Sequence, residues 1–306
     1  MKVIVTGHAG FIGKHLVNHL RDVEVVGIDR STSDDDAVRG IRLDLSEMDD
    51  RELEPHSDYL QGADAVVHLA AYRPVTGSRR GDSFDENMRT NVTGTLNVLM
   101  MAKTFKIDKV IFASTKAVYG NPKGLIKEEA RARPETNYGK SKLLAEGLCR
   151  EFGEAYGLSC TSLRIASVFG PGMACNLVFA RFLNSALKGQ DLVVHEHLSG
   201  YEYLDLIYAK DVTEAIEKAL HLRHDRAFEV LNIGGKSPVN TLSLASEIVN
   251  AIGSKSEIDT VRTQEMRHGF KLSTRKASKI LGWTPKYDIA SAIRDFLPTW
   301  YCERIR

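Results

Sequence analysis

Short runs of β-branched and other apolar residues recur through the first half of the chain, at residues 3–5, 23–28, 41–43, 65–70, 110–113 and 161–165. Each is too short for a buried helix and is bounded by polar or glycine residues. Each is also apolar almost throughout, the mark of a strand covered on both faces. Residues 11–20, 86–103 and 138–156 between them carry helical spacing. Strand and helix in alternation build βαβ units, because parallel neighbours need a crossover and a helix supplies it. The expected class is therefore α/β: a doubly wound parallel sheet of the Rossmann type with helices on both faces. After about residue 166 the pattern loosens, beginning with the turn signal Phe169-Gly170-Pro171-Gly172. Residues 204–219 and 228–233 still read as parts of the sheet unit. The expected division is a sheet unit over 1–166 with 204–235 contributing, and a smaller interleaved C-terminal lobe from 167–203 and 236–306.

The glycines that follow the first run are the first sign of chemistry. Thr6-Gly7-His8-Ala9-Gly10-Phe11-Ile12-Gly13 joins a strand to a helix. Glycines at that junction let the backbone turn tightly and approach a pyrophosphate, whose charge rests on the N–H-rich end of the helix. The second run ends in Asp29, where a carboxylate accepts from an adenosine ribose and repels a 2′-phosphate, so NAD is favoured over NADP. Arg30 beside it is the one residue that would accommodate such a phosphate.

A second constellation lies further on. Ser114-Thr115 ends the run at 110–113, at the sheet edge where ligands of open α/β folds bind. Tyr138 and Lys142 stand one helical turn apart and project from one face. A phenol acts as a base near neutral pH only if its pKa falls well below about 10. A nearby Lys142 ammonium and a positive nicotinamide ring would both favour the phenolate.

Joined to the glycine turn, these residues resemble the extended short-chain dehydrogenase/reductase family, within it the nucleotide-sugar epimerases and dehydratases (UDP-glucose 4-epimerase-like). The resemblance runs almost end to end, through Asp44-Leu45, His68-Leu69-Ala70-Ala71, Asn91 in Asn91-Val92-Thr93-Gly94-Thr95, and Ser114 to Gly120. It continues through Leu163-Arg164, Phe169-Gly170-Pro171, Asp211-Val212 and Leu281-Gly282-Trp283-Thr284-Pro285. It implies that Thr115, Tyr138 and Lys142 are catalytic. It implies a dinucleotide held by Gly7, Gly10, Phe11, Ile12, Gly13, Asp29, Arg30, Asp44, Leu45, Leu69, Ala70, Ala71, Asn91, Ser114, Tyr138 and Lys142. Arg73, Thr115, Ser167, Asn176, Leu177 and Arg267 would meet the substrate, with Arg262 a rival for the place of Arg267. The sheet unit would bind NAD and the second lobe a nucleotide sugar.

Four departures from the family pattern stand out. Ser167 occupies the usual place of an asparagine, and Leu204 that of the arginine before Asp205. Arg267-His268-Gly269-Phe270 only echoes an R-P-G-D segment. Thr115 is followed by Lys116-Ala117 rather than by the acidic pair of dehydratases, which points to epimerisation at C4 or to simple oxidoreduction. A sugar dehydrogenase or 4-ketoreductase would use the same set; a non-catalytic dinucleotide-sensing or RNA-binding member would show a broken set or a basic face.

Composition narrows the field further. At 306 residues, 43% hydrophobic and 26% charged, with net charge +1, the chain has the balance of an ordinary globular protein and offers no electrostatic case for nucleic acid or membrane. Cys149, Cys160, Cys175 and Cys302 are scattered, so neither a metal site nor a disulfide framework is expected, and a reducing, cytoplasmic setting is. Tyr201, Tyr203 and Tyr208 cluster as core or as a base-stacking group. His195 and His197 alternate on a strand and read as surface residues, and Asp34-Asp35-Asp36 as a solvated loop. A homodimer is implied by resemblance, through the helices at 86–103 and 138–156, where Met100 and Met101 suit either seam or core.

Overall fold

The computed structural model describes residues 1–31, 38–74, 81–222 and 226–303. The acidic stretch Asp34-Asp35-Asp36 lies outside the described residues. In chain order the sheet unit comprises β1 (Lys2–Thr6), α1 (Phe11–His19), β2 (Glu24–Asp29), β3 (Arg39–Arg42), β4 (Ala65–His68) and α2 (Gly94–Thr104). It continues with β5 (Lys109–Thr115), α3 (Asn137–Tyr156), β6 (Ser159–Ile165), α4 (Ala209–His221) and β7 (Phe228–Ile233). The strands form one seven-stranded parallel sheet in the order β7-β6-β5-β4-β1-β2-β3. The strand order reverses between β1 and β4, and a crevice opens beyond their C-terminal ends.

Strand alternation distributes side chains to two layers. Val3, Val5, Val67 and Ile111 pack with Leu16 of α1 and with Val212 and Ile216 of α4. Ile4, Val66, Val110 and Phe112 pack on the other side with Leu99 of α2 and with Ala145 and Cys149 of α3. Each such fully buried aliphatic side chain stabilises by about 1.5–3 kcal/mol, which is why the apolar runs become inner strands. A third, aromatic core gathers Phe169, Phe179, Tyr208 and Phe296 beside the helices Val178–Leu187, Thr241–Ile252 and Ile289–Phe296. The strand Leu206–Tyr208 lies outside the large sheet and pairs with Ser167–Phe169.

Several local expectations are corrected. The fourth strand stops at His68, because Leu69 and Ala70 swing over the glycine turn and donate to Thr6, through Leu69 N to the carbonyl (3.1 Å) and Ala70 N to Oγ1 (3.3 Å). The helix expected at 86–103 is interrupted: a turn at Phe84–Glu86 runs into a π-helical stretch at Asn87–Thr93 before α2 begins. His197 is buried and its Nδ1 meets Thr263 Oγ1 at 2.9 Å, whereas His195 is exposed. The tyrosines do not converge, since Tyr208 is core and bonded to Asp295 while Tyr203 is exposed. Cys175 and Cys302, separated by 127 residues, are disulfide-bonded. Spacing alone could not reveal that pair, because parallel pairing of Cys302–Glu303 with Met173–Ala174 brings the two together.

Candidate active site

The crevice is built first by backbone. Gly7 has φ +73°, and a Cβ there would lie 2.6 Å from Ala70 N. A Cβ on Gly13 would lie 2.2 Å from the Gly7 carbonyl oxygen. Only glycine fits either place. Gly10 caps α1 without any side-chain hydrogen bond, so the first turn, which holds Phe11 and Ile12, presents its N–H groups without a capping oxygen. A cradle of this shape fits a pyrophosphate.

Asp29 braces the cradle: its carboxylate accepts from Ala9 N (3.2 Å), Ser31 N (3.0 Å) and Ser31 Oγ (3.1 Å). Arg30 is exposed, and its charge acts on Asp44. Burial opposes ionisation of Asp44, but Ser46, Arg30 and Arg89 outweigh it and hold the carboxyl below its ordinary range. Leu45 is buried against Gly94, and its carbonyl accepts from Asn97 at 2.8 Å.

A chain of side chains stitches β1 to β4 at the reversal point. Thr6 Oγ1 meets His68 Nδ1 at 2.7 Å, His68 Nε2 meets Thr95 Oγ1 at 3.0 Å, and Thr95 donates to the Asn91 carbonyl at 2.6 Å. Burial and then the Lys142 charge push His68 down to about 3, so this imidazole stays neutral. The Asn91 side chain accepts from Tyr72 N (2.7 Å) and donates towards the Tyr72 carbonyl (3.0 Å), Asn87 (3.1 Å) and Ser141 (2.9 Å). That amide is spent on protein partners, fastening the segment of Ala71 and Tyr72 to α3. The Asn91 side chain thereby positions this segment of the crevice.

The reactive set sits at the end of β5 and the start of α3. Thr115 Oγ1 accepts from Ala117 N at 3.2 Å, which starts the turn Lys116–Tyr119 and leaves the hydroxyl hydrogen to donate elsewhere. Alternation sends the preceding hydroxyl the other way. Ser114 Oγ donates to Glu146 at 2.5 Å, inside a buried cluster where Glu146 pairs with Arg164 at 2.7 Å. The Ser114 side chain, expected at the cofactor, is therefore turned into the core. Thr136 caps α3 through Gly139 N (3.0 Å), and Asp82 accepts from Asn137 N (2.7 Å) and Tyr138 N (3.0 Å).

Burial pushes the Tyr138 phenol above its ordinary value, while Arg73 and hydrogen bonding with Thr115 pull it down. The sequence assigned the lowering charge to Lys142; among the protein's groups, Arg73 supplies it. Lys142 is buried, with Nζ 4.5 Å from the Phe112 ring centroid, and burial brings it down to about 8 against the opposing pull of Cys149 and Glu146.

The remaining candidates lie outside the seven-stranded sheet. Ser167 opens a short strand and its N donates to the Asp205 carbonyl at 3.0 Å. Asn176 and Leu177 follow the disulfide at Cys175 and lead into the helix Val178–Leu187. Arg267 is half exposed, bonded to Glu265 (2.8 Å) and facing Glu202 (3.7 Å); Arg262 is turned to Glu196 at 3.1 Å. Asp82 and Glu146 were missed in the sequence. Glu146 had a signal, one turn beyond Lys142 on the same helix face, whereas Asp82 had none.

The comparisons with known proteins fit this geometry. The model of the NAD dependent epimerase/dehydratase family matches residues 3–234. The chain belongs to that family. A UDP-glucuronic acid 4-epimerase from Bacillus cereus, solved with UDP-glucuronic acid and NAD, superposes with TM-score 0.83 at 28% identity, covering 98% of this chain and 100% of that one. A UDP-glucose 4-epimerase of Thermotoga maritima, solved with UDP-glucose, gives TM-score 0.83 at 28% identity over 97% and 98% of the two chains. The dTDP-glucose 4,6-dehydratase of Streptomyces niveus is 28% identical over 98% of this chain and 93% of its own. The family member described here is thus an enzyme of the extended short-chain dehydrogenase/reductase type with NAD as cofactor. Among the described residues no helix is long and apolar enough to cross a membrane.

Proposed function

We propose that this family member is a nucleotide-sugar 4-epimerase that acts on a UDP-sugar through a 4-keto intermediate. The observation that carries the reading is the facing pair of Thr115 and Tyr138 at the mouth of the sheet crevice, with Lys142 one turn along α3. Tyr138 takes the proton of the C4 hydroxyl, and Thr115 orients that oxygen by donating its hydroxyl hydrogen. Bound NAD supplies the acceptor and later the donor of the C4 hydride. Lys142 holds the ribose side of the cofactor, while Arg73 and the Thr115 hydroxyl favour the phenolate. The glycine turn, Asp29 and Asp44 serve the dinucleotide. Ser167, Asn176, Leu177 and Arg267 serve the substrate, from a lobe assigned to residues 167–203 and 236–306. Lys116 and Ala117 stand after Thr115 in place of the acidic pair of dehydratases, which favours epimerisation over dehydration.

Tyr138→Phe is expected to keep NAD affinity and lose turnover by roughly a hundredfold or more. Undiminished turnover would refute the assignment. Absorbance at the reduced-nicotinamide band separates the second reading, a net dehydrogenase or ketoreductase: stoichiometric change with added sugar favours that reading, and none favours epimerisation.

A homodimer through α2 and α3 completes the proposal. Met100 is 46% exposed and Leu144 53% exposed on those helices, while Met101 is core. Replacing Met100 and Leu144 together by glutamate should shift sedimentation from dimer to monomer; a wild type that already sediments as a monomer would remove this assembly.

A further inference from the structure

The residue before Thr115 is fastened to the helix that carries Tyr138. Ser114 on β5 lies directly across from Arg164 on β6, and Glu146 of α3 meets both. Ser114 Oγ donates to the carboxylate at 2.5 Å. Arg164 donates to both of its oxygens, from Nε at 3.0 Å and from Nη2 at 2.7 Å, and Ser162 Oγ donates at 3.2 Å. The remaining arm of the guanidinium, Nη1, donates to Tyr119 Oη at 2.9 Å and to the Glu128 carbonyl at 3.3 Å. Tyr119 in turn donates to Asn232 Oδ1 at 2.8 Å. Ser114, Tyr119, Glu146 and Arg164 are all buried.

These contacts bracket Thr115. Ser114 before it is bonded to Glu146, and Tyr119, which closes the turn after it, is bonded to Arg164. Glu146 stands one turn beyond Lys142 and two beyond Tyr138 on α3. One carboxylate thus joins the strand end that presents Thr115 to the helix that presents Tyr138. Stability alone does not account for such a cluster. Taking a carboxylate and a guanidinium out of water roughly offsets their attraction, and apolar packing of similar volume would hold α3 on the sheet as well. Apolar packing would not supply direction, whereas a guanidinium fork on a carboxylate fixes orientation as well as distance. Direction matters here, because a misplacement of about 1 Å between reacting groups can cost up to a hundredfold in rate.

We propose that Glu146 and Arg164 are positioning residues which, through Ser114 and Tyr119, set the Thr115 hydroxyl against the Tyr138 phenol. The proposal rests on Thr115 and Tyr138 being the reacting pair, and not on which sugar is turned over. It gives Ser114 a role in aligning its neighbour rather than in holding the dinucleotide.

Two variants of the NAD-loaded protein test it. Ser114→Ala removes one hydroxyl and leaves the ion pair whole; Arg164→Lys keeps the charge and loses the fork. Ser114→Ala should lower kcat about three- to tenfold and Arg164→Lys about tenfold or more, with KM and NAD affinity within about twofold of wild type. The Tyr138 phenol is followed without substrate, by ultraviolet absorbance, as the difference from the same protein carrying Tyr138→Phe. It should titrate at higher pH in both variants, because hydrogen bonding with Thr115 is weakened while Arg73 still acts on it. Should Arg164→Lys fail to fold, Ser114→Ala decides. Full kcat in Ser114→Ala overturns the proposal. So does a loss in NAD affinity in place of kcat, which would return the serine hydroxyl to the cofactor, or an unmoved phenol titration, which would leave the cluster purely structural. A wild type that turns over no UDP-sugar refutes the epimerase reading alone, and the phenol titrations still decide the positioning role.

Discussion

Lys142 shows how a single side chain carries both a cost and a use. Burial lowers it from 10.5 to about 8, so its positive charge disappears as pH rises through about 8. If that charge supports turnover, kcat should fall on an alkaline limb near the same pH. Lys142→Arg keeps its charge throughout and should lose the limb, at a lower overall rate because a guanidinium does not match the ammonium's geometry. A limb unmoved in the arginine variant would assign it to another group. Stability takes the opposite sign. The folded value lies below the ordinary one, so between about 8 and 10.5 the unfolded chain holds a proton that the folded chain has released. Stability from this group therefore rises with pH across that window. The placement of Tyr138 and Lys142 one turn apart on a single helix was legible in their spacing. That Arg73, far upstream, would be the charge acting on the phenol was not, because segments distant in sequence meet only in the folded crevice.

At the scale of an element, the start of α3 decides where the phenol stands. A helix leaves its first N–H groups unsatisfied, and here Thr136 and Asp82 divide them. Asp82 comes from the segment after β4, so one carboxylate ties that segment to the helix carrying Tyr138. Asp82→Ala should cost about 1 kcal/mol of stability and lower kcat several-fold while leaving NAD affinity unchanged. Asp82→Asn, which keeps an acceptor, should recover most of the rate; an alanine variant with full kcat would remove the positioning role. The π-helical stretch at Asn87–Thr93 belongs to the same arrangement, since it carries Asn87 and Asn91 into the bonds that hold Tyr72 and Ser141. Helical periodicity in the sequence gave no hint of it, because the insertion of a wide turn is set by those side-chain partners.

At the scale of the whole molecule, the Cys175–Cys302 bond fastens the C-terminal strand to the loop that leads into Asn176 and Leu177. Closing 127 residues removes much freedom from the unfolded chain, up to about 5 kcal/mol on loop-closure entropy. Cys302→Ser, or reduction with a thiol, should lower the melting temperature. It should also raise KM for the nucleotide sugar more than it lowers kcat, because the loop beside Asn176 loses an anchor. Unchanged melting on reduction would show that the bond contributes nothing. The sequence pointed to scattered thiols in a reducing setting, since pairing between distant segments leaves no local pattern.

The apolar runs and their helical intervals determined the parallel sheet, because burial on both faces admits few other arrangements. Glycine spacing likewise determined the phosphate cradle, since its geometry is local and excludes a Cβ. The tertiary structure alone decided which polar side chains face the crevice. Ser114 and Asn91 carry the right chemistry in the right motifs, yet the fold spends them on Glu146 and Tyr72. A side chain's neighbours within one turn or one strand are written in the sequence; the partners that claim its hydrogen bonds and charge are fixed by segments that meet on folding.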